Sequence, residues 1–285
     1  MVNATKPKAG AALAAVSAFA RANSVSLLAS PETVALAGGG DEWIACTEKE
    51  FTAAPCVAVL GGDGTILRAA HMLADHGMDV PVMGLNIGSL GYLTCADEDR
   101  FDEALRALCD GTCEIVPRQT LECDVRRGRR TEHVERLALN EIVVSRGSGR
   151  IVRLGLSLDG REVAEYACDG LIVSTPTGST AYSLSAGGPL VMPGTAATAI
   201  TVICPHALSS RPLVVSDSTE VGITPLAAET PLVLDIDGEC ARKIAVGEHV
   251  RIRKGKKSVR IAFLPGEGGH RVLKRKLGWT DGAGR

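Results

Sequence analysis

The chain has 285 residues, of which 45% are hydrophobic and 22% are charged, and its formal net charge at pH 7 is −2. A chain of this length can bury one large core or two ordinary ones. The near-neutral charge gives no global field that would draw it to nucleic acid or an anionic membrane, and no apolar run of about 18 residues is free of charges or turn residues. We therefore expect a soluble, cytoplasmic protein with no nucleic-acid or membrane partner.

The first 118 residues alternate helical and strand-like patterns. The predicted elements are helices over 11–22, 65–74 and 97–108 and strands over 25–29, 57–60 and 80–85. This alternation predicts a parallel sheet covered by helices, and ligands of such sheets bind at the carboxyl ends of the strands. Two segments follow predicted strands in this way, residues 61–65 and residues 86–91.

A glycine-rich turn follows the strand at 57–60 and has the sequence Gly61-Gly62-Asp63-Gly64-Thr65. Its glycines let the backbone approach a ligand, and a turn from strand into helix presents N–H groups to phosphate. The carboxylate of Asp63 would repel phosphate unless it binds a metal or transfers a proton, and its alternative role is a helix cap. Arg68, one turn into the helix, is a candidate phosphate contact, with a solvated surface arginine as the alternative.

From Thr120 onward the pattern changes to short strands, with Asp159-Gly160 and Asp237-Gly238 as hairpin signals. The predicted strands cover 121–125, 138–145, 152–158, 163–166, 200–203, 232–236, 250–252 and 259–263. A short helix near 179–187 and a helical pattern in the last fifteen or so residues complete the prediction. The fold class is an α/β N-terminal domain with a parallel sheet over 1–118, against which 265–285 packs, and an all-β, sandwich-like C-terminal domain over 119–264. The absence of a linker favours a cleft between these domains.

Two polar segments of the second half stand out. Asn140-Glu141 interrupts an apolar strand, and such a pair is costly if it is buried without partners. The segment from Asp169 to Pro189 is rich in glycine and hydroxyl side chains, which suit ribose hydroxyls, phosphates and base edges. Its alternative interpretation is a polar loop with a helix cap near Ser179.

The nine cysteines contain no Cys-x-x-Cys pair, and the six histidines form no cluster with metal-ligand spacing. The odd number of cysteines and their scattered positions favour reduced thiols that act as small hydrophobic side chains. We predict no metal held by protein ligands alone.

Taken together, these segments resemble the NAD kinases, which transfer phosphate to the adenosine 2′-hydroxyl of NAD. The glycine turn alone also resembles lipid and diacylglycerol kinases and phosphofructokinases, from which the segment at 169–189 separates this chain. The resemblance extends over the whole chain in order and rests on 61–65, 140–141, 169–189, 205–213 (with Ala207 where the family has serine), 237–238 and 274–279.

The resemblance implies that ATP or polyphosphate phosphorylates NAD, with Mg²⁺ or another divalent metal bridging the donor phosphates. Asp63 would act as the general base, and Gly61, Gly62, Gly64 and Thr65 would form the phosphate turn. The predicted dinucleotide-binding residues are Asp63, Gly64, Arg68, Asn140, Glu141, Arg150, Asp169, Thr180, Ala181, Tyr182 and Ser185, with Arg68 and Arg150 as the weaker candidates.

The resemblance also implies a homodimer or homotetramer, assembled through 120–264, in which a neighbouring subunit helps to close the NAD site. Two alternatives remain open at this point. A non-catalytic dinucleotide sensor would share the fold but has no use for a base such as Asp63. A lipid kinase would share the glycine turn but needs a membrane-docking element, and the sequence contains no amphipathic or exposed apolar stretch of that kind.

Overall fold

The computed structural model describes residues 1–88, 91–207 and 209–268, with the side chains of all but residues 52 and 53. The predicted C-terminal helix and the motif at 274–279 lie outside the described residues. The chain divides into two compact units. The first contains Met1–Pro117 and the described residues from Val259 onward, and the second contains Arg118–Ser258.

Five α-helices and nineteen strands cover the described part of the chain. The helices α1–α5 span Ala9–Asn23, Pro31–Leu36, Asp63–Asp75, Phe101–Cys109 and Tyr182–Ser185. The strands β1–β19 span Leu27–Ala29, Trp43–Ala45, Val57–Leu60, Val82–Leu85, Thr94–Ala96, Glu114–Arg118, Leu121–Arg127, Arg130–Ala138, Glu141–Arg146, Val152–Leu158, Arg161–Cys168, Gly170–Ser174, Ala197–Ile203, Leu213–Ser216, Val221–Ala227, Leu232–Ile236, Glu239–Ile244, His249–Lys254 and Val259–Phe263. No helix in these described ranges is long and apolar enough to cross a membrane.

A five-stranded sheet forms the centre of the first unit, in the order β3-β4-β19-β6, with β5 paired to β4. The strands β3, β5 and β19 all run parallel to β4. Helix α3 packs against β3 and β4 and buries Ile66, Ala70 and Leu73, which recur at helical spacing on one face. The predicted α/β domain with a parallel sheet is confirmed.

The last strand of this sheet, β19, differs from the prediction in its location. The sequence assigned residues 259–263 to the β-rich domain because several short strands precede them. In the structure Ile261 pairs with Val82 of β4, inside the parallel sheet of the first unit. A strand pattern alone does not specify which sheet a strand joins, because the pairing partner lies about 180 residues away in the chain.

The second unit is a sandwich of two six-stranded antiparallel sheets. Their strand orders are β11-β10-β15-β18-β7-β8 and β14-β13-β12-β9-β16-β17. The inward-facing side chains of both sheets form one core, in which Val125 and Leu156 from the first sheet and Ile142 and Leu171 from the second are at most 2% exposed. A core formed between the inner faces of two antiparallel sheets is typical of β-sandwiches, and the predicted fold class is confirmed.

A strand predicted over 138–145 is in fact two strands in different sheets. Strand β8 ends at Ala138 in one sheet, and β9 begins at Glu141 in the other. Leu139 and Asn140 therefore form the crossing between the sheets. The polar pair Asn140-Glu141 marks this change of sheet, so the predicted interruption within a single strand was wrong.

The sequence patterns located the strongly apolar elements and missed several polar or short ones. The missed strands include β2, β6, β8, β14, β15 and β17. The arginine-rich run at 126–130 forms the turn between β7 and β8. Cys46, Cys95, Cys123 and Cys168 are buried, as expected for thiols that act as small hydrophobic side chains, whereas Cys204 lies exposed just beyond the end of β13.

Candidate functional site

The glycine turn joins the carboxyl end of β3 to the first turn of α3. Gly62 precedes the helix, and Asp63 and Gly64 are its first two residues. The first N–H groups of an α-helix have no carbonyl partner within the helix, so this end carries a partial positive charge suited to an anion. Thr65 is buried beneath the turn, while Arg68 lies exposed on α3.

The carboxylate of Asp63 does not cap its own helix. Its Oδ2 accepts the backbone N–H of Tyr92 at 2.8 Å, and its Oδ1 accepts that of Leu93 at 2.9 Å. The helix-cap alternative is therefore wrong for this residue, because α3 begins without a side-chain cap and the carboxylate reaches a different segment. Each carboxylate oxygen keeps a lone pair for a further hydrogen bond.

The segment before β5 packs tightly against this carboxylate. A Cβ atom at Gly91 would overlap Asp63 Oδ1, so only glycine fits there while the carboxylate keeps its position. The hydroxyl of Thr94 holds the same segment by accepting the N–H of Gly91 at 3.2 Å. On the other side of residues 89–90, which lie outside the described ranges, the Asn86 amide donates to Asp97 Oδ1 at 2.8 Å.

In the second unit, the crossing between the sheets is held by the carboxylate of Asp237. Its Oδ2 accepts the N–H of Leu139 at 2.8 Å, and its Oδ1 accepts those of Asn140 at 2.8 Å and Glu141 at 3.0 Å. Three consecutive backbone donors thus converge on one acceptor group. Sequence reasoning left Asp237 open as a hairpin residue or a site residue, the second because it lies in a segment that resembles the family.

Thr175 and Gly178 hold the same crossing from the hydroxyl-rich segment. The N–H of Thr175 donates to the carbonyl of Asn140 at 2.9 Å, and its hydroxyl donates to the carbonyl of Leu139 at 2.7 Å. A Cβ atom at Gly178 would overlap the carbonyl oxygen of Asn140. Both residues belong to the segment that the sequence singled out, although neither was predicted as a site residue.

Glu141 is buried at the start of β9 and faces the hydroxyl-rich segment. Burial, together with the nearby Asp237 carboxylate, raises the pKa of Glu141 to about 8, while the N–H of Tyr182 acts against this shift. Within the described residues, neither its Oε2 nor the hydroxyl of Ser174 has a hydrogen-bond partner. Because Ser174 is paired directly with Glu141 across β12 and β9, two unsatisfied polar atoms lie on one face of the sheet.

The remaining residues predicted from the hydroxyl-rich segment lie close together in the chain, after β12. A 3₁₀ turn covers Gly178–Thr180, and α5 follows directly. Thr180 and Ala181 are half-buried, and Tyr182 and Ser185 are exposed. The side chain of Ser179 is buried and donates to the carbonyl of Pro176 at 2.7 Å, so it serves the local structure. The predicted helix cap near Ser179 was wrong, because neither the 3₁₀ turn nor α5 begins with a side-chain cap.

Asp169 and Arg150 lie at the opposite end of the same strands. Glu141 pairs with Ser174, whereas Ser145, about 13 Å further along an extended strand, pairs with Gly170. Asp169 accepts a hydrogen bond from Arg146 Nε at 2.6 Å. Arg150 is highly exposed and 3.8 Å from Glu229, the surroundings expected for a solvated arginine. The structure therefore does not bring these two residues to the Asn140–Glu141 end of the sheet.

Two family models match the chain. The ATP-NAD kinase N-terminal domain matches residues 10–113, and the ATP-NAD kinase C-terminal domain matches residues 139–264. The NAD kinase of Gemmatimonas aurantiaca is 39% identical over 227 residues, which cover 79% of this chain and 78% of that protein. The NAD kinase of Desulforamulus reducens is 35% identical over 284 residues, which cover 99% and 97% of the two chains.

Two solved structures share the fold. Yeast NADH kinase complexed with NADH has a TM-score of 0.86 at 24% identity, over 100% of this chain and 88% of that one. An NAD kinase from Archaeoglobus fulgidus in complex with ATP has a TM-score of 0.72 at 24% identity, over 97% and 96%. At this level of identity the two structures support the fold alone.

The raised pKa of Glu141 predicts a pH-dependent stability that Glu141→Gln removes. In the folded state the Glu141 carboxyl keeps its proton up to about pH 8, whereas in the unfolded chain it releases the proton above its ordinary pKa of 4.5. The stability gained from this protonation is therefore fully present below pH 4.5 and is lost as the pH rises towards 8. We expect the free energy of unfolding of Glu141→Gln, relative to the parent, to rise by up to about 1.4 kcal/mol per pH unit in that window. Chemical unfolding at pH 5, 6.5 and 8 measures this difference.

The matched control is Glu162→Gln, which removes an exposed carboxylate from the same unit. Its unfolding should follow the parent at all three pH values. Parallel pH profiles for the parent and Glu141→Gln would show that Glu141 is ionised throughout.

Proposed function

The chain belongs to the NAD kinase family, and on that premise we propose that it transfers a phosphoryl group from ATP to the adenosine 2′-hydroxyl of NAD. The observation that carries this proposal is the fixed carboxylate of Asp63 at the amino end of α3. A base and a set of N–H donors for phosphate thus occur together in one turn. A dinucleotide sensor would need only the second of these features.

Asp63 is the proposed general base. A ribose hydroxyl is a weak nucleophile at neutral pH, so it must lose its proton as it attacks phosphorus. The hydrogen bonds from Tyr92 and Leu93 hold the carboxylate in place and leave a lone pair on each oxygen to accept that proton. The N–H groups at the start of α3 favour the negative charge of a phosphate group.

Asn140 and Glu141 are the proposed residues that recognise NAD. The backbone of Asn140 is fixed on both sides, which leaves its amide to bind a base or a ribose edge. Glu141, protonated near neutral pH, would donate a hydrogen bond to a ligand oxygen from Oε2, the atom that lacks a partner among the described residues. Tyr182 and Ser185 would add contacts from the adjacent segment.

Mg²⁺, or another divalent metal, is the proposed cofactor. In the described part of the chain, no three His, Cys, Asp or Glu side chains lie close enough together to hold a metal ion. A single carboxylate such as that of Asp63 fits Mg²⁺, which takes one or two carboxylates together with substrate phosphates and keeps several waters. When bound, the ion would neutralise charge on the donor phosphates. Asp63, with its unused lone pairs, is the side chain that could reach such an ion.

The proposed activity is tested by an assay of NADP formation from NAD, with ATP and with polyphosphate as separate donors. We expect turnover with ATP and Mg²⁺. Asp63→Asn should lower kcat by roughly 10²–10⁴, because the amide cannot accept the proton of the hydroxyl. NAD binding, measured by calorimetry, should persist in this variant.

Asp75→Asn is the matched control for this variant, because it changes an exposed aspartate at the other end of α3. In Asp63→Asn one backbone N–H loses its acceptor, so a fall of about 1–3 kcal/mol in stability is also expected and should be measured. Near-normal turnover of Asp63→Asn would contradict the assignment of the base. Lack of NADP formation by the parent chain with either donor would contradict the proposed function.

The role of Asn140 predicts a selective effect on one substrate. Asn140→Ala removes a side chain that binds NAD equally in the ground state and the transition state, so KM for NAD should rise while KM for ATP and kcat change little. Steady-state kinetics with each substrate varied in turn measures the split. Equal increases in both KM values would indicate a structural role instead.

We also propose that the chain is a homodimer or homotetramer assembled through the second unit. Asp169 lies about 16 Å along the strands from Glu141, so two predicted groups of NAD-binding residues lie at opposite ends of one sheet. A second copy could bring its Asp169 end to the Asn140 end of the first. The exposed side chains of Val163, Val214 and Leu226 offer apolar surface for such a contact.

Light scattering on the purified chain should therefore show a dimer or a tetramer. If the two groups belong to different subunits, co-expression of Asn140→Ala with Asp169→Asn should give a fraction of sites with the parental KM for NAD, which neither variant has alone, because hybrid oligomers contain some intact sites. A fully active monomer at assay concentration would contradict both the assembly and the shared site.

A further inference from the structure

Two hairpins of the second unit have the same turn sequence and the same backbone geometry. Asp159-Gly160 joins β10 to β11, and Asp237-Gly238 joins β16 to β17. The φ angles are +50° and +74° in the first turn and +49° and +81° in the second. Asp-Gly is a favoured sequence for a two-residue hairpin turn with positive φ at both positions. On backbone grounds alone, both aspartates are turn residues of the same kind.

Their side chains differ in what they bind. The carboxylate of Asp159 accepts one backbone N–H, from Glu220 at 2.9 Å. The carboxylate of Asp237 accepts three, from Leu139, Asn140 and Glu141. The backbone bond is the same in both turns, because the N–H of Asp159 donates to the carbonyl of Glu220 at 2.9 Å and that of Asp237 to the carbonyl of Glu141 at 3.0 Å. Hydrogen bonds to an ionised acceptor are roughly twice as strong as neutral ones. Because Asp237 accepts three of them and Asp159 only one, the second hairpin holds the segment between the sheets more firmly.

The hydrogen bonds to Asp237 help to fix the direction of the Asn140 side chain. The N–H of Asn140 is held by Asp237, and its carbonyl is held by the N–H of Thr175. With both peptide groups fixed, the Cα–Cβ direction of Asn140 is fixed as well. The Asp237 carboxylate also acts on the Glu141 side chain, because its charge contributes to the raised pKa of Glu141.

We propose that Asp237 is a positioning residue of the NAD site, which holds the segment Leu139–Glu141 so that Asn140 and Glu141 meet the dinucleotide. This inference rests on the proposed function. The hairpin geometry by itself does not require this positioning role, because Asp159 occupies the same kind of turn and has no such role.

The test compares Asp237→Asn and Asp237→Ala with Asp159→Asn and Asp159→Ala. The Asp237 variants should raise KM for NAD by about 10-fold to 100-fold, the range expected when a binding group is displaced by about 1 Å, with KM for ATP unchanged. Asp237→Asn keeps an oxygen that can accept from Asn140 and Glu141, so its effect should be the smaller one. The Asp159 variants should lower the melting temperature without changing KM for NAD.

Hydrogen exchange supplies a readout that does not depend on catalysis. Amides of Leu139, Asn140 and Glu141 should exchange faster in Asp237→Asn than in the parent, while those of Asp159→Asn should match the parent. If Asp237→Ala does not fold, Asp237→Asn alone decides the outcome. A KM for NAD within twofold of the parent in Asp237→Asn, or an equal rise in Asp159→Asn, would overturn the positioning role. An inactive parent chain would instead contradict the proposed function. Hydrogen exchange would then still test whether Asp237 holds the backbone of Leu139, Asn140 and Glu141.

Discussion

Hydrogen bonds from backbone N–H groups to side-chain carboxylates hold both candidate site segments. A buried N–H without an acceptor is costly, and segments outside regular sheets must find acceptors among side chains. Asp63 supplies them to Tyr92 and Leu93 in the first unit, and Asp237 supplies them to Leu139, Asn140 and Glu141 in the second. In both units, an aspartate in a turn fixes a segment distant in sequence.

Close backbone packing completes the same arrangement in each unit. Gly91 leaves room for the Asp63 carboxylate, and Gly178 leaves room for the carbonyl of Asn140. Any larger residue would push the functional group away from its hydrogen-bond donors or acceptors. The rigidity of the site thus depends on small residues beside carboxylates, and such support keeps a binding group within the narrow tolerance that catalysis requires.

Glu141 shows what this arrangement costs in stability. Its carboxyl group has a raised pKa, and neither its Oε2 nor the neighbouring hydroxyl of Ser174 finds a partner in the part of the chain that the structure describes, which weakens an otherwise well-packed sandwich. Buried polar atoms of this kind are uncommon in folded proteins and concentrate where a ligand will satisfy them. The core around Ile142 and Leu171 supplies the stability that lets the second unit tolerate them.

By itself, the sequence determined the fold class, the glycine turn with Asp63, and the other segments on which the family resemblance rests, because apolar periodicity and turn chemistry are local properties. Only the tertiary structure decided that β19 joins the first unit, that Asn140 lies where the chain crosses between sheets, and that Asp169 lies at the far end of the strands from Glu141. It also showed what Asp237 holds and Asp159 does not, which their identical turn sequences could not reveal. The physical reason is that strand pairing and side-chain hydrogen bonds join residues that are far apart in the chain. No local sequence pattern encodes which partner a strand or a side chain will find.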